Sequence, residues 1–281
     1  KFTMNKNIFI LVSLVFLLFV SCSKKELKKS SMLEKNLELQ VLEAYKEGME
    51  SLEAGDVLFA AKKFNEAEIL FPQSEWAPKS ALMAAYSYYI QDYYGDAIAE
   101  LIRFKKIYLN HPNLDYANYL LAICYYEQIV DEKKDLQSII KAKESFTYII
   151  SKFPNTEYAL DSEFKIDLIN DILASKEMYI GRYYFDKKKW IPAINRFRTV
   201  VDDYDTTIYV EEALHRLVEV YYTIGLINES KKYAKLLGYN YKSSQWYENS
   251  YSLFNNVYKK KKFKKEKENN SILNKVKSLL N

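Results

Sequence analysis

Side chains with intrinsic reactivity are few: two cysteines and two histidines in 281 residues. Cys22 and Cys124 are far apart, as are His111 and His215, and no Cys or Asp gathers around either histidine in the spacing a zinc site needs. Neither histidine stands beside a plausible nucleophile in the sequence, and His111 reads as the end of a helix just before Pro112. Glu211-Glu212 reads as a helix start, where carboxylates favour the dipole. Glycine-rich phosphate loops and nucleophile-elbow patterns are missing. The chain therefore reads as a non-enzyme with no metal and no cofactor beyond a covalent lipid. What remains is the chemistry of adhesion, carried by 26 Tyr, 15 Phe and 3 Trp.

The two cysteines have different settings. Cys124 lies in Tyr119-Leu120-Leu121-Ala122-Ile123-Cys124-Tyr125 and is expected as a small buried core residue. Cys22 follows Lys6, an apolar run from Ile8 to Val20 broken only by Ser13, and Ser21. That run spans 13 residues, too short for the roughly twenty a spanning helix needs, so residues 1–21 read as a signal peptide. Phe19-Val20-Ser21-Cys22 resembles the bacterial lipobox, with Phe19 where Leu is usual, so Cys22 is the expected lipid-attachment residue. Ser23 stands where an inner-membrane retention signal would have Asp, which implies the periplasmic face of the outer membrane. Lys1 to Thr3 precede the first methionine, Met4.

The elements that must position the aromatic side chains are helical. Gly and Pro are scarce, at 6 and 5, and β-branched runs are confined to the first twenty residues. Internal repetition is more specific: Gly48, Ala60, Phe64, Ala67 and Pro72 are separated by 12, 4, 3 and 5 residues. Gly181, Ala193, Phe197, Val200 and Asp205 repeat those steps, and Ala142, Phe146, Ile149 and Pro154 repeat their second half. A small residue on one helix lets a second helix approach, an Ala returns the favour, an aromatic fills the gap to the next hairpin, and Pro ends the second helix. Gly55 and Gly225 fall between paired helices, where a positive φ costs glycine little.

The pattern resembles the tetratricopeptide repeat. The expected fold is all-α, a right-handed superhelix of about five such hairpins with a concave groove lined by their first helices. The units run from about Val41 to Pro72, Pro78 to Pro112 with an extra turn in the second helix, and Asn113 to Pro154 with a polar insertion at 131–135. The fourth contains Gly181 to Asp205, its first helix extended back to Thr156, and the fifth spans about Glu211 to Lys242. Residues 22–35 read as an anchor linker, 36–242 as the repeat domain, and 243–281 as a basic C-terminal extension. Most of the tyrosines are expected to fill inter-helix core.

Within that extension, residues 259–268 hold Lys259 to Lys262, Lys264, Lys265 and Lys267 against Glu266 and Glu268. Taking this +5, the two N-terminal lysines, Lys275 and Lys277 away from the total of +4 leaves residues 22–257 at about −5. A mildly acidic body argues against nucleic acid as the partner. The tail reads as solvated, with membrane headgroups or an acidic partner as the alternative.

Three segments carry a closer resemblance: Asn110-His111-Pro112-Asn113-Leu114-Asp115-Tyr116-Ala117-Asn118-Tyr119, Tyr183-Tyr184 with Trp190-Ile191-Pro192-Ala193-Ile194-Asn195-Arg196, and the lipobox. In order, spacing and repeat number the chain is similar to the BamD family, tetratricopeptide lipoproteins of the outer-membrane β-barrel assembly machinery. The resemblance implies a scaffold whose C-terminal repeats hold the periplasmic domains of the barrel-forming protein. Its N-terminal repeats would receive the C-terminal signal of incoming, unfolded outer-membrane proteins, beside other assembly lipoproteins. For incoming segments the expected groove residues are Tyr45, Phe71, Trp76, Tyr86, Tyr89 and Tyr116. For the partner contact they are Arg196, Arg182, Asp203 and Asn195, with salt bridging inside the repeats as the alternative role. A lipid-anchored adaptor for a secretin, a pilus component or cell-wall enzymes is the rival reading.

Overall fold

The computed structural model describes residues 25–129 and 136–255. Among the described residues every regular element is an α-helix. The chain divides into two compact units, one reaching Gln128 and one beginning at Ile129. Unit 1 holds α1 (Lys25–Glu53), α2 (Val57–Leu70), α3 (Trp76–Ile90), α4 (Tyr94–Ile107) and α5 (Leu114–Glu127). Unit 2 holds α6 (Gln137–Lys152), α7 (Glu157–Asp186), α8 (Trp190–Asp203), α9 (Val210–Thr223), α10 (Ile227–Asn240) and α11 (Gln245–Phe254). Within each unit, successive helices pack on one another in antiparallel pairs, and α11 lies against both α9 and α10. Residues 131–135, the polar insertion, and the signal and basic segments lie outside the described residues.

The recurring glycine, alanine and phenylalanine have the expected task. A Cβ on Gly48 would stand 2.8 Å from the Phe64 ring, and one on Gly181 would stand 2.5 Å from Phe197. Each glycine is thus the seat of a fully buried aromatic from the second helix of its own hairpin. Phe64 also reaches Ala84 of the next hairpin, so one ring ties three helices.

Among the described residues, the turns inside four of the hairpins share one conformation. Gly55 and Gly225 have φ of 83° and 82°, while Asp92 and Lys188 take the same left-handed region at 62° and 57°. Aspartate tolerates that region through local hydrogen bonding, and the tight turn imposes it on the lysine. Asp56, Thr156 and Ser244 then cap α2, α7 and α11 with side-chain oxygens that accept the amides of Phe59, Ala159 and Tyr247. Thr156 opens the 30-residue α7, as the backward extension of repeat four predicts.

Helix ends differ from the expectation in one respect. Pro72 and Pro154 follow their helices closely, but α4 ends at Ile107, five residues before Pro112, and is no longer than α2. The additional length of repeat two therefore lies in a loop, not in an extra helical turn. His111 belongs to that loop: its amide donates to the Tyr108 carbonyl and its ring meets Phe104 edge-on at 5.5 Å. What all five second helices share is an aromatic C-cap: Phe71, Tyr108, Phe153, Tyr204 and Tyr241. Four of them donate their amide to the carbonyl four residues back, at Phe104, Ile149, Val200 and Leu237. Tyr204 and Tyr241 do this without a proline, which explains how repeat four tolerates Asp205.

Candidate functional site

On α3, Lys79, Leu82, Met83 and Tyr86 fall at helical spacing along one face. With Tyr45 of α1, Tyr116 of α5 and Asn113 just before it, they line a cleft of about 440 Å³ in unit 1. All three helices are the first helices of their hairpins, which is where a repeat array places its groove. Its wall is aromatic and aliphatic, with polar groups only at Lys79, Asn113 and the tyrosine hydroxyls.

The ring of Tyr45 is fixed from behind, 5.3 Å from Phe64 and 5.1 Å from Trp76. Burial pushes its phenol above the ordinary range, so it stays a neutral hydrogen-bonding group. The Lys79 ammonium lies 4.7 Å above the Trp76 ring. Burial, and then the charge of Lys79, hold the His111 imidazole below its ordinary value, so it is uncharged at neutral pH.

Of the six aromatic side chains expected in the groove, Tyr45, Tyr86 and Tyr116 line this cleft. Trp76 supports it through Tyr45 and Lys79. Phe71 packs instead with Val41, Ala44 and Ala67, and Tyr89 turns to Tyr94 at 6.1 Å within the core between α3, α4 and α5. Lys79, Leu82, Met83 and Asn113 were missed, although the spacing of the first three with Tyr86 was readable once α3 was placed.

In unit 2, Arg196 of α8 donates from Nη1 to both carboxylate oxygens of Glu177 on α7, at 3.0 and 3.1 Å. Arg182 of α7 donates to Glu212 of α9 at 2.9 Å. Asn195 and Asp203 are exposed on α8. The two arginines are thus engaged within the repeats, while the Arg196 side chain keeps 43% of its surface exposed. Glu212 also receives Arg216, which reaches Glu219, and Glu219 lies 3.5 Å from His215 Nε2.

This ladder ends in a constellation the sequence hid. His215 Nδ1 is 2.8 Å from Ser250 Oγ on α11, so a histidine does stand beside a hydroxyl, contrary to expectation. His215 and Ser250 are both buried, at 4% and 0% exposure, and Trp246 covers the imidazole at 5.3 Å. Buried in this way, the pair forms a polar clasp between α9 and α11. A second cleft, of about 520 Å³, lies between α10 and α11 among Gly238, Tyr239, Tyr247, Tyr251 and Phe254. Cys22 lies outside the described residues; among those described, no helix is long and apolar enough to cross a membrane, and no group of three or more His, Cys, Asp or Glu could hold a metal ion.

Stacked hairpins that present an aromatic cleft and half-exposed ion pairs define a tetratricopeptide-type binding protein. The family model described as outer membrane lipoprotein, YfiO, matches residues 38–237. The chain is 41% identical over 228 residues to the outer membrane protein assembly factor BamD of Caulobacter vibrioides, covering 81% of this chain and 74% of that protein. It is 44% identical over 212 residues to BamD of Rickettsia prowazekii, covering 75% and 84%. BamD of Neisseria meningitidis is 29% identical over 230 residues, covering 78% and 85%. The chain belongs to the YfiO/BamD family of outer membrane lipoproteins.

Proposed function

We propose that this chain is an outer-membrane protein assembly factor that works as a lipid-anchored scaffold without catalysis of its own. Its similarity to assembly factors named BamD, at 41% and 44% identity over most of the chain, carries the reading. Cys22 bears the lipid and holds the repeats at the periplasmic face of the outer membrane. The unit 1 cleft receives extended, aromatic-rich segments of unfolded barrel proteins, for which Tyr45, Tyr86 and Tyr116 offer large contact area at modest entropic cost.

Unit 2 holds the periplasmic domains of the barrel-forming protein, with Asn195, Arg196 and Asp203 on α8 and Arg182 on α7 at the contact. Arg196 suits that task because Glu177 keeps its guanidinium in place while nearly half of the side chain remains exposed. The other assembly lipoproteins complete the partner set.

The test is the affinity of the soluble mature chain, from Ser23 onward, for the periplasmic domains of the barrel-assembly protein of the same organism. Arg196→Glu is expected to weaken binding at least tenfold, the loss of a charge-assisted contact, with helicity unchanged. The exchange Arg196→Glu with Glu177→Arg restores the internal pair but not the affinity. Unchanged affinity in both variants would remove Arg196 from the interface. No binding by the unaltered chain would bring forward a secretin, pilus or cell-wall client.

A further inference from the structure

The cleft between α10 and α11 follows from a change in the repeat pattern. Phe64, Phe146 and Phe197 each come four residues after an alanine on the second helix of a hairpin, and all three are fully buried. Repeat five has Ser230 and Ala234 at those two steps, and Val218 where Gly48 and Gly181 stand in repeats one and four. The recurring ring is thus missing, and Ala234 lines a cleft of about 520 Å³ in its place. Gly238 lets the Tyr247 ring lie against α10, since a Cβ there would stand 2.7 Å from it, and Tyr251 and Phe254 continue the wall along α11. Tyr239 and Tyr251 are left 89% and 41% exposed.

The first helices α1, α3, α7 and α9 each carry the second helix of their hairpin, whereas none follows α11 among the described residues. A repeat array needs a terminal element that is apolar inward and polar outward. The chain beyond α11 contains residues of that kind. Ile272, Leu273, Val276, Leu279 and Leu280 fall on one face at helical spacing, while Asn274, Lys275, Lys277 and Ser278 fall outside it. Asn269, Asn270 and Ser271, just before them, are of the types that cap helix N-termini. Residues 256–270 provide ample tether, at about 3.3 Å for each extended residue, because the 10-residue α11 is only about 15 Å long. We propose that residues 272–280, which lie outside the described residues, fold back as a helix into the cleft between α10 and α11, with Val276 toward Ala234 and Asn274 toward solvent. The segment completes a sixth hairpin and caps the array. Covalent attachment favours it over a free occupant, because a flexible tether holds it at an effective concentration on the order of millimolar.

The test uses the full chain carrying Cys22→Ser, in which the buried Cys124 is the only other thiol. Ala234→Cys is combined with Val276→Cys or with Asn274→Cys, and disulfide formation under mild oxidation is followed by non-reducing electrophoresis and peptide mass spectrometry. The Val276 pair is expected to close at least about tenfold faster than the Asn274 pair, because a docked helix presents one face and a free tether presents both. Adding Leu279→Asp brings the two rates to within about twofold of each other. Without the paired cysteines, hydrogen exchange of the amides of 272–280 is expected to be at least about tenfold slower than in Leu279→Asp.

Equal closure of the two pairs, or closure of neither, overturns the docked helix. A preference for Val276 that survives Leu279→Asp overturns the apolar stripe as what the cleft holds. Disulfides that join two chains and disappear on dilution replace the chain's own segment with a second copy. Should Ala234→Cys disturb α10, hydrogen exchange decides alone: amides of 272–280 that exchange as fast as in Leu279→Asp leave the cleft without this occupant.

Discussion

Cys124 illustrates how a reactive side chain is silenced by its surroundings. It is fully buried on α5, in the core where α5 meets α3 and α4, and burial, aided by the charge of Glu127, pushes its thiol up to about 12. The thiolate is the nucleophile, so the folded protein should be inert to thiol reagents at pH 8. In the Cys22→Ser chain, reaction with Ellman's reagent is expected to be at least about 100-fold slower in buffer than in denaturant. Comparable rates would contradict the packing of α5. The apolar neighbours of Cys124 made this burial legible in the sequence. The clasp between His215 and Ser250 was not, because it joins residues 35 positions apart and α11 lies beyond the segment read as repeats.

Between elements, glycine seats a phenylalanine ring closely in two of the hairpins. Gly181→Ala gains about 1 kcal/mol of helix propensity, but its Cβ would meet a fully buried Phe197 ring that has no space to yield. Overpacking of this kind costs about 1–3 kcal/mol and should win, for a net loss of up to about 2 kcal/mol. Urea unfolding checks this: a midpoint at or above that of the parent chain would show that the ring can move. Neighbouring hairpins in unit 1 are also joined by charge. Glu68 of α2, only 6% exposed, accepts two hydrogen bonds from Arg103 of α4 and a third from the Tyr108 hydroxyl. Glu68→Ala leaves that hydroxyl and part of the guanidinium unpaired. Arg103 keeps Glu100 as a partner and is 38% exposed, which limits the expected loss to about 1–3 kcal/mol. A thermal midpoint within a degree of the parent would argue that the bond contributes nothing net.

At the scale of the whole molecule, the sequence divides its charge unevenly, with a body near −5 and a lysine-rich extension. The apolar lead into Cys22 supplies the membrane attachment in our reading. Cys22→Ser is expected to move the protein from the membrane fraction to the soluble periplasmic fraction, followed by fractionation and immunoblotting. Retention on membranes in that variant would sink the lipid anchor and turn attention to the basic extension, whose hold on anionic lipid would be released by high salt.

Several features of this protein were determined by its sequence alone: the helical class, the hairpin spacing, the glycine turns at Gly55 and Gly225, the long α7 and the inert Cys124. Each depends on periodicity, turn chemistry or apolar context among residues close along the chain, so the order of residues encodes it directly. Only the tertiary structure decided that Tyr45, Tyr86 and Tyr116 share a cleft while Phe71 and Tyr89 pack inward. It alone revealed that Arg196 and Arg182 are already held by Glu177 and Glu212, and that Lys79 forms no ion pair among the described residues. Those outcomes turn on which faces of different helices meet, and a tyrosine suits a core and a groove equally well until its neighbours are in place.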